Sequence, residues 1–146
     1  MNTAEYRRMF EAEERQWWYV GMRRITDGLL RPYLQAGTTR QRPLLDAGCG
    51  TGANLLHFGD VAQVVGVDLS GEAVALCAAR GTKVGRGSVL ELPFASGVFD
   101  CVTSFDVLYC LPDEVERAAL AEMVRVLKPG GLALINVAAL DMLQRI

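Results

Sequence analysis

One histidine, four scattered cysteines, no basic run and no apolar segment of membrane length set the first limits on this 146-residue chain. A membrane-spanning helix needs about 20 consecutive apolar residues, and no stretch approaches that. Cys49, Cys77, Cys101 and Cys110 lack the short paired spacing of a metal site. They read as reduced, mostly buried thiols of a cytoplasmic protein. The net charge is −2, so nothing points to nucleic acid as a partner. Glu5, Glu11, Glu13 and Glu14 crowd the first residues, which argues against a secretory signal there. His57 stands alone within an expected helix and reads as a surface or packing residue. Internal repeats and low-complexity segments are also absent.

Against these absences, residues 44–55 are dense with signal: Leu-Leu-Asp-Ala-Gly-Cys-Gly-Thr-Gly-Ala-Asn-Leu. An apolar pair leads into Asp46, Gly48, Gly50 and Gly52 alternate, and then an amphipathic pattern begins. This is the pattern of a buried strand, a tight turn and a helix start. Glycine suits such a turn because a side chain would block both the bend and the close approach of a ligand. The first amides of a helix lack partners within it, so a polar ligand can be received there. Asp46 adds one negative charge at the carboxyl end of the strand. Gly48-x-Gly50-x-x-Ala53 also satisfies the looser dinucleotide fingerprint, so NAD stays open as a ligand at this point.

The length suits one domain with a real core. Residues 1–40 read as an N-terminal helical extension and residues 41–146 as the core unit. The extension holds a helix over residues 4–18, with Tyr6, Met9, Phe10 and Trp17 on one face. Trp17, Trp18 and Tyr19 then cluster before Gly21. A second helix follows, with Met22, Ile25, Leu29 and Tyr33 on its apolar face, closed by Pro32 and Gly37. Two readings of these aromatics stand side by side: packing onto the domain, or a lid over a ligand site.

In the core, strands are expected at residues 44–47, 63–68, 82–85, 99–104 and 132–137. Helices are expected at residues 52–58, 72–80 and 113–127, with Ser70 and Asp113 as N-caps. The last helix would bury Val115, Leu120, Met123, Val124 and Leu127, and Lys128-Pro129-Gly130-Gly131 would stop it. Alternation of strand and helix argues an α/β, Rossmann-like, doubly wound and mainly parallel sheet with helices on both faces.

Asp68 follows Gly48 by 20 residues, at the end of the second strand, where an acid can accept from both hydroxyls of a ribose. Asp46, Asp68, Ser88 and the pair Phe105-Asp106 all fall at or near strand ends, where open α/β sheets bind ligands. With these residues in view the chain resembles class I S-adenosylmethionine-dependent methyltransferases. The likeness is to the small-molecule group that includes ubiquinone and menaquinone biosynthesis enzymes. Residues 45–52 match the family's first motif, and Val65-Gly66-Val67-Asp68-Leu69-Ser70 the acidic end of its second strand. Leu92-Pro93-Phe94, Phe99-Asp100 and Leu127-Lys128-Pro129-Gly130-Gly131 recur in the same order and spacing. Trp17-Trp18-Tyr19 with Arg23-Arg24 is similar to the N-terminal region of many members. The combination favours S-adenosylmethionine over NAD.

The resemblance implies that Asp46 and the backbone from Gly48 through Cys49 and Gly50 to Gly52 hold the methionine part of the cofactor. It implies Asp68 on the ribose, Leu69 on the adenine face, Ser88 and Val89 along the adenine edge, and Phe105 near the sulfonium. The product would be S-adenosylhomocysteine. Ser88 is a departure: the family usually has an acid there, and serine accepts without charge and with shorter reach. A second departure is the strand count, five where the family has seven. An uncovered apolar fifth strand predicts a homodimer contact at residues 132–137, or a missing C-terminal segment.

Methyl transfer requires in-line positioning and exclusion of water, and a base only for some acceptors. Asp106 is the candidate base, with a loop-structuring role as its rival. Trp18, Tyr19, Arg23 and Tyr109 are candidates for an acceptor pocket or lid, and no metal is expected. The reading is a methyltransferase acting on a small molecule, without nucleic acid or membrane span. The alternatives are a cofactor-binding module without catalysis and, lower, an NAD-dependent oxidoreductase.

Overall fold

A computed structural model describes residues 3–36 and 41–137. Helices α1 (Thr3–Ala12) and α2 (Trp17–Gln35) precede β1 (Arg42–Ala47). Then follow α3 (Ala53–Phe58), β2 (Ala62–Asp68), α4 (Gly71–Ala79), β3 (Val84–Arg86) and β4 (Phe99–Phe105). A single 3₁₀ turn at Leu108–Cys110, α5 (Asp113–Val126) and β5 (Leu127–Asn136) complete the described chain. Every strand pairing is parallel, in the order β3-β2-β1-β4-β5. The path runs from β1 out to β3 and returns on the other side of β1 with β4, so the switch in direction lies between β1 and β4. Open parallel sheets bind ligands at the carboxyl ends of the strands flanking that switch.

The sheet is covered on both faces, as near-continuous apolar strands require. On one face Leu45, Ala47, Val67 and Val102 pack with Ala119, Met123 and Val126 of α5. On the other, Leu44 and Cys101 pack with Phe58 of α3 and with Leu30 and Leu34 of α2. A smaller cluster of Cys49, Leu55 and Cys77 joins α3 to α4 beside the glycine turn.

Several elements differ from the sequence expectation. The first helix ends at Ala12, and Trp17 begins α2, which runs through Gly21 and Pro32. Tertiary anchors outweigh the local breakers: Leu34 beyond the proline is buried, and the Tyr33 hydroxyl donates to the Asp100 carbonyl at 3.0 Å. The buried stripe of α2 is Thr26, Leu30 and Leu34, so Ile25 and Leu29 stand 61% and 58% exposed. Thr26 fits the core because its hydroxyl donates to the Met22 carbonyl. Helix α5 starts after Pro112, so Asp113 is its first residue and not its cap, and Val124 faces solvent. Strand β5 begins at Leu127, and Lys128-Pro129-Gly130-Gly131 lies within it, across a register shift opposite Phe99 and Cys101. An edge-strand bulge accommodates proline without losing a ladder bond. Gly37, the link at residues 37–40 and residues beyond 137 lie outside the described residues.

The phase of α2 is testable by urea denaturation. Leu30→Ala is expected to lower stability by about 2–5 kcal/mol, and Ile25→Ala by less than about 0.5 kcal/mol. The reverse order would contradict the assigned face.

Candidate functional site

Gly48, Gly50 and Gly52 all have left-handed backbones, at φ 80°, 54° and 83°. A Cβ on Gly48 would stand 2.3 Å from Val107 Cγ2, and one on Gly52 2.8 Å from Cys77 Sγ. The backbone thus demands all three glycines, and protein packing demands Gly48 and Gly52 as well. The turn's amides are also spent within the protein. Gly48 and Cys49 donate to the Val67 carbonyl at 2.8 and 3.0 Å, and Gly50 donates to Asp68 Oδ2 at 2.9 Å. Gly66 in β2 leaves room for the Cys49 and Leu55 side chains.

Beneath the turn, Asp46 is almost wholly buried. Its Oδ1 accepts from Thr103 Oγ1 at 2.7 Å, and its Oδ2 is buried with no partner. Burial pushes its carboxyl up to about 7, against the lowering effect of Thr103 and with a further push from Asp68. Asp68 sits across the turn, its Oδ1 accepting from the Ser70 amide at 2.9 Å. Each Asp68 oxygen thus takes one backbone N–H, and the Tyr6 phenol donates to the same carboxylate, which leaves one lone pair for a further donor. Ser70 caps α4 as expected, accepting from Ala73 N–H at 3.4 Å. The Tyr6 side chain of α1 lies against Asp68 and Ser70, and burial followed by the Asp68 charge raises its phenol.

Leu69, next along the rim, is an apolar side chain 67% exposed. Ser88 Oγ accepts from the Leu90 amide at 3.1 Å, which leaves one lone pair and its proton for a ligand. Val89 is buried beneath it.

At the end of β4, Phe105 is half-buried and Val107 rests on Gly48. Between them Asp106 has φ 57°, the one positive value at a non-glycine among the described residues. Its amide donates to the Asn136 carbonyl at 3.1 Å. Asp106 Oδ1 and Asn136 Oδ1 are both buried without a partner. Burial alone raises the Asp106 carboxyl. Tyr19 and Tyr109 are raised by burial first and by the nearby Asp106 charge as well. Structure thus brings Tyr19, Tyr109 and Asp106 together. Trp18 is instead half-exposed, edge-on to Trp17 at 5.8 Å, and the Arg23 guanidinium is committed to the Glu13 carbonyl.

The two N-terminal helices lie over these strand ends. Met9 reaches the Gly50 position, Tyr6 reaches Asp68, and the Met22 sulfur receives the Asn136 side-chain amide at 3.9 Å. Their tie-down is Glu13, a residue sequence reasoning counted only as charge. Its carboxylate is buried, accepts from the buried Thr51 hydroxyl at 2.6 Å and pairs with Arg80, whose guanidinium stacks on Phe10. Arg7 adds an exposed pair to Glu72. No sequence signal marks Glu13, because a buried and a solvated glutamate look alike in composition. A groove of about 410 Å³ between α1 and α4, lined by Arg7, Phe10, Glu72 and Leu76, shares no residue with the strand ends. No cluster that could hold a metal occurs among the described residues, and no helix among them is long and apolar enough to cross a membrane.

Comparison with known proteins assigns a family to this geometry. A family model described as methyltransferase domain matches residues 45–135, from the first strand through Asp68 to the fifth. A methyltransferase-like protein of Encephalitozoon cuniculi is 39% identical over 135 residues, covering 91% of this chain and 58% of that protein. The tRNA (carboxymethyluridine(34)-5-O)-methyltransferase of Arabidopsis thaliana is 36% identical over 99 residues, 67% of this chain and 24% of that protein. Among solved structures, S-adenosylmethionine-bound CalS10, an amino pentose methyltransferase from Micromonospora echinaspora, superposes with a TM-score of 0.74 at 25% identity. That match covers 97% of this chain and 58% of CalS10. The chain thus spans little more than half the length of the first of these relatives, and less of the second.

A double-mutant cycle tests the Glu13 tie. Arg80→Met alone is expected to cost about 3–5 kcal/mol by stranding a buried carboxylate, and much of that loss should return in Arg80→Met with Glu13→Leu. Additive losses would mean that the two side chains do not form one unit.

Proposed function

We propose, from the premise that the chain belongs to the methyltransferase-domain family, that it binds S-adenosylmethionine at the strand ends and transfers the methyl group to a small-molecule acceptor. The observation that carries this reading is the buried, unpartnered Oδ2 of Asp46 under the glycine turn. A buried carboxylate oxygen without a donor fits an ammonium, such as that of the cofactor's methionine part. The turn from Gly48 to Gly52 shapes the space around that part. Asp68 accepts from a ribose hydroxyl, with the Tyr6 phenol beside it, and Leu69 offers an apolar platform to the adenine. Ser88 donates at the adenine edge beside Val89, and Phe105 borders the sulfonium. Residues 1–40 act as the lid, with Met9 and Tyr6 over the turn and Asp68.

When bound, S-adenosylmethionine supplies an electrophilic methyl on sulfur. The protein's part is to align the acceptor with it and to exclude water. Helices α1 and α2 provide the exclusion. A tRNA acceptor is the second reading, favoured by the Arabidopsis relative. The acidic character of the strand ends, with Asp46, Asp68 and Asp106, weighs against a polyanion there. Tritiated-methyl incorporation into bulk tRNA separates the two: a labelled tRNA fraction would favour the second reading.

Calorimetric titration with S-adenosylhomocysteine, run beside NAD, tests the cofactor assignment. Only the former is expected to bind. Because the ammonium pairs with ionised Asp46, affinity should rise about tenfold from pH 6 to pH 8, through the Asp46 value of about 7. The raised carboxyl has the opposite effect on the ligand-free protein, whose stability should fall as pH rises from about 4 through about 7. Asp46→Asn should flatten both profiles. A pH-independent affinity would remove Asp46 from the ammonium site.

A further inference from the structure

Cys49 and Cys77 are both buried, and their sulfurs stand 3.9 Å apart although 28 positions separate them in the chain. Cys49 belongs to the glycine turn and Cys77 to α4, so the contact joins two elements. Glycines shape the space around the pair. A Cβ at Gly66 would stand 2.6 Å from Cys49 Sγ, and one at Gly52 2.8 Å from Cys77 Sγ. The Cys77 thiol donates to the Gly50 carbonyl at 3.2 Å. With that proton engaged, Cys49 is the donor between the two sulfurs, and its bond holds the Cys77 thiol below the ordinary range. The same bond, with burial, holds the Cys49 thiol up. Cys49 is 7% exposed and gives the pair its contact with solvent. Buried cysteines commonly serve as small apolar fillers, as Cys101 does in the α2 face of the core. Sulfur-to-sulfur contact beneath the turn gives Cys49 and Cys77 a shared chemistry instead.

We propose that Cys49 and Cys77 form a redox-modification site, a dithiol that a peroxide oxidises to a disulfide, and that the oxidised form displaces the glycine turn and weakens cofactor binding. The effect on the cofactor rests on the S-adenosylmethionine reading above; the dithiol itself does not. In the reaction the two S–H bonds and the peroxide O–O bond break, while one S–S bond and two O–H bonds form. Two electrons pass from sulfur to oxygen, and the thiol protons leave in two molecules of water. A disulfide bond is about 2.05 Å long, so closing the gap from 3.9 Å draws the turn and α4 together. Oxidation also takes the Cys77 proton from the Gly50 carbonyl. The amides of Gly48, Cys49 and Gly50 are tied to Val67 and Asp68, so the displacement falls on the residues that border the cofactor.

The test treats the folded chain with hydrogen peroxide, then alkylates it in denaturant and digests it with trypsin. Arg42 precedes Pro43, so residues 41–80 emerge as one peptide carrying both cysteines. After peroxide that peptide is expected to escape alkylation and to be two hydrogens lighter than its reduced form. Calorimetry should then give S-adenosylhomocysteine an affinity at least about tenfold lower than in the untreated chain. Dithiothreitol should restore both readouts, which separates this site from oxidation of Met9, because it does not reduce methionine sulfoxide. Cys77→Ser, whose hydroxyl can keep the bond to the Gly50 carbonyl, should bind S-adenosylhomocysteine as the untreated wild type does and ignore peroxide. If that variant does not fold, reversal by dithiothreitol in the wild type carries the test. A folded chain whose 41–80 peptide stays fully alkylated after peroxide would overturn the site. A disulfide with unchanged affinity would overturn its effect on the turn. A reduced chain that binds no S-adenosylhomocysteine would remove the cofactor reading, while the peptide result still decides the dithiol.

Discussion

The turn after β1 is held in place by the end of β2. The Val67 carbonyl takes two of its amides and the Asp68 carboxylate a third. That arrangement decides the rest of the site. With these amides engaged, the conformation of the turn is set by the protein before anything binds. Asp68 has two tasks at once: it braces Gly50 and Ser70, and it faces the position where a ribose is expected. The backbone donors offset the cost of burying its charge. Asp46, one strand over, lacks that compensation on Oδ2 and stays poised for a positive group.

The second constraint is the layer made by α1 and α2. These helices do not simply pad one face of the sheet; they reach over the ends of β1, β2 and β5. Leu30 and Leu34 bind α2 to the core, and Glu13 with Arg80 and Thr51 binds the α1–α2 junction to the glycine turn. A buried ion pair is a modest source of stability but a demanding one geometrically. Its effect here is to fix the register between the lid and the turn, so that Tyr6, Met9 and Met22 each sit over a different strand end.

Much of this was legible in the sequence where backbone demands dictate the residue. The alternating glycines sit where the structure puts the turn, because few residue types tolerate its left-handed backbone, and Asp46 and Asp68 fall at the ends of the two strands beside it. The reason given for the glycines was incomplete: Val107 and Cys77 fill the space that a side chain would need. Errors arose where tertiary contacts override local pattern. Ile25 and Leu29 continue an apolar stripe from Met22, yet Thr26 is the residue inside, its hydroxyl satisfied within the helix. Lys128-Pro129-Gly130-Gly131 reads as a stop but joins an edge strand through a register shift. Glu13 and Asn136 were invisible, because their importance comes from what the fold sets beside them.

The central claim is that one pocket runs across the ends of β1, β2 and β4 beneath the N-terminal helices. Amide chemical-shift mapping during titration with S-adenosylhomocysteine tests it most directly. The account expects the largest changes at Gly48, Gly50, Asp68, Leu69, Val89 and Phe105, together with Tyr6 and Met9 of the lid. Changes confined to the outer groove at Arg7, Glu72 and Leu76, or none in a folded chain, would contradict it.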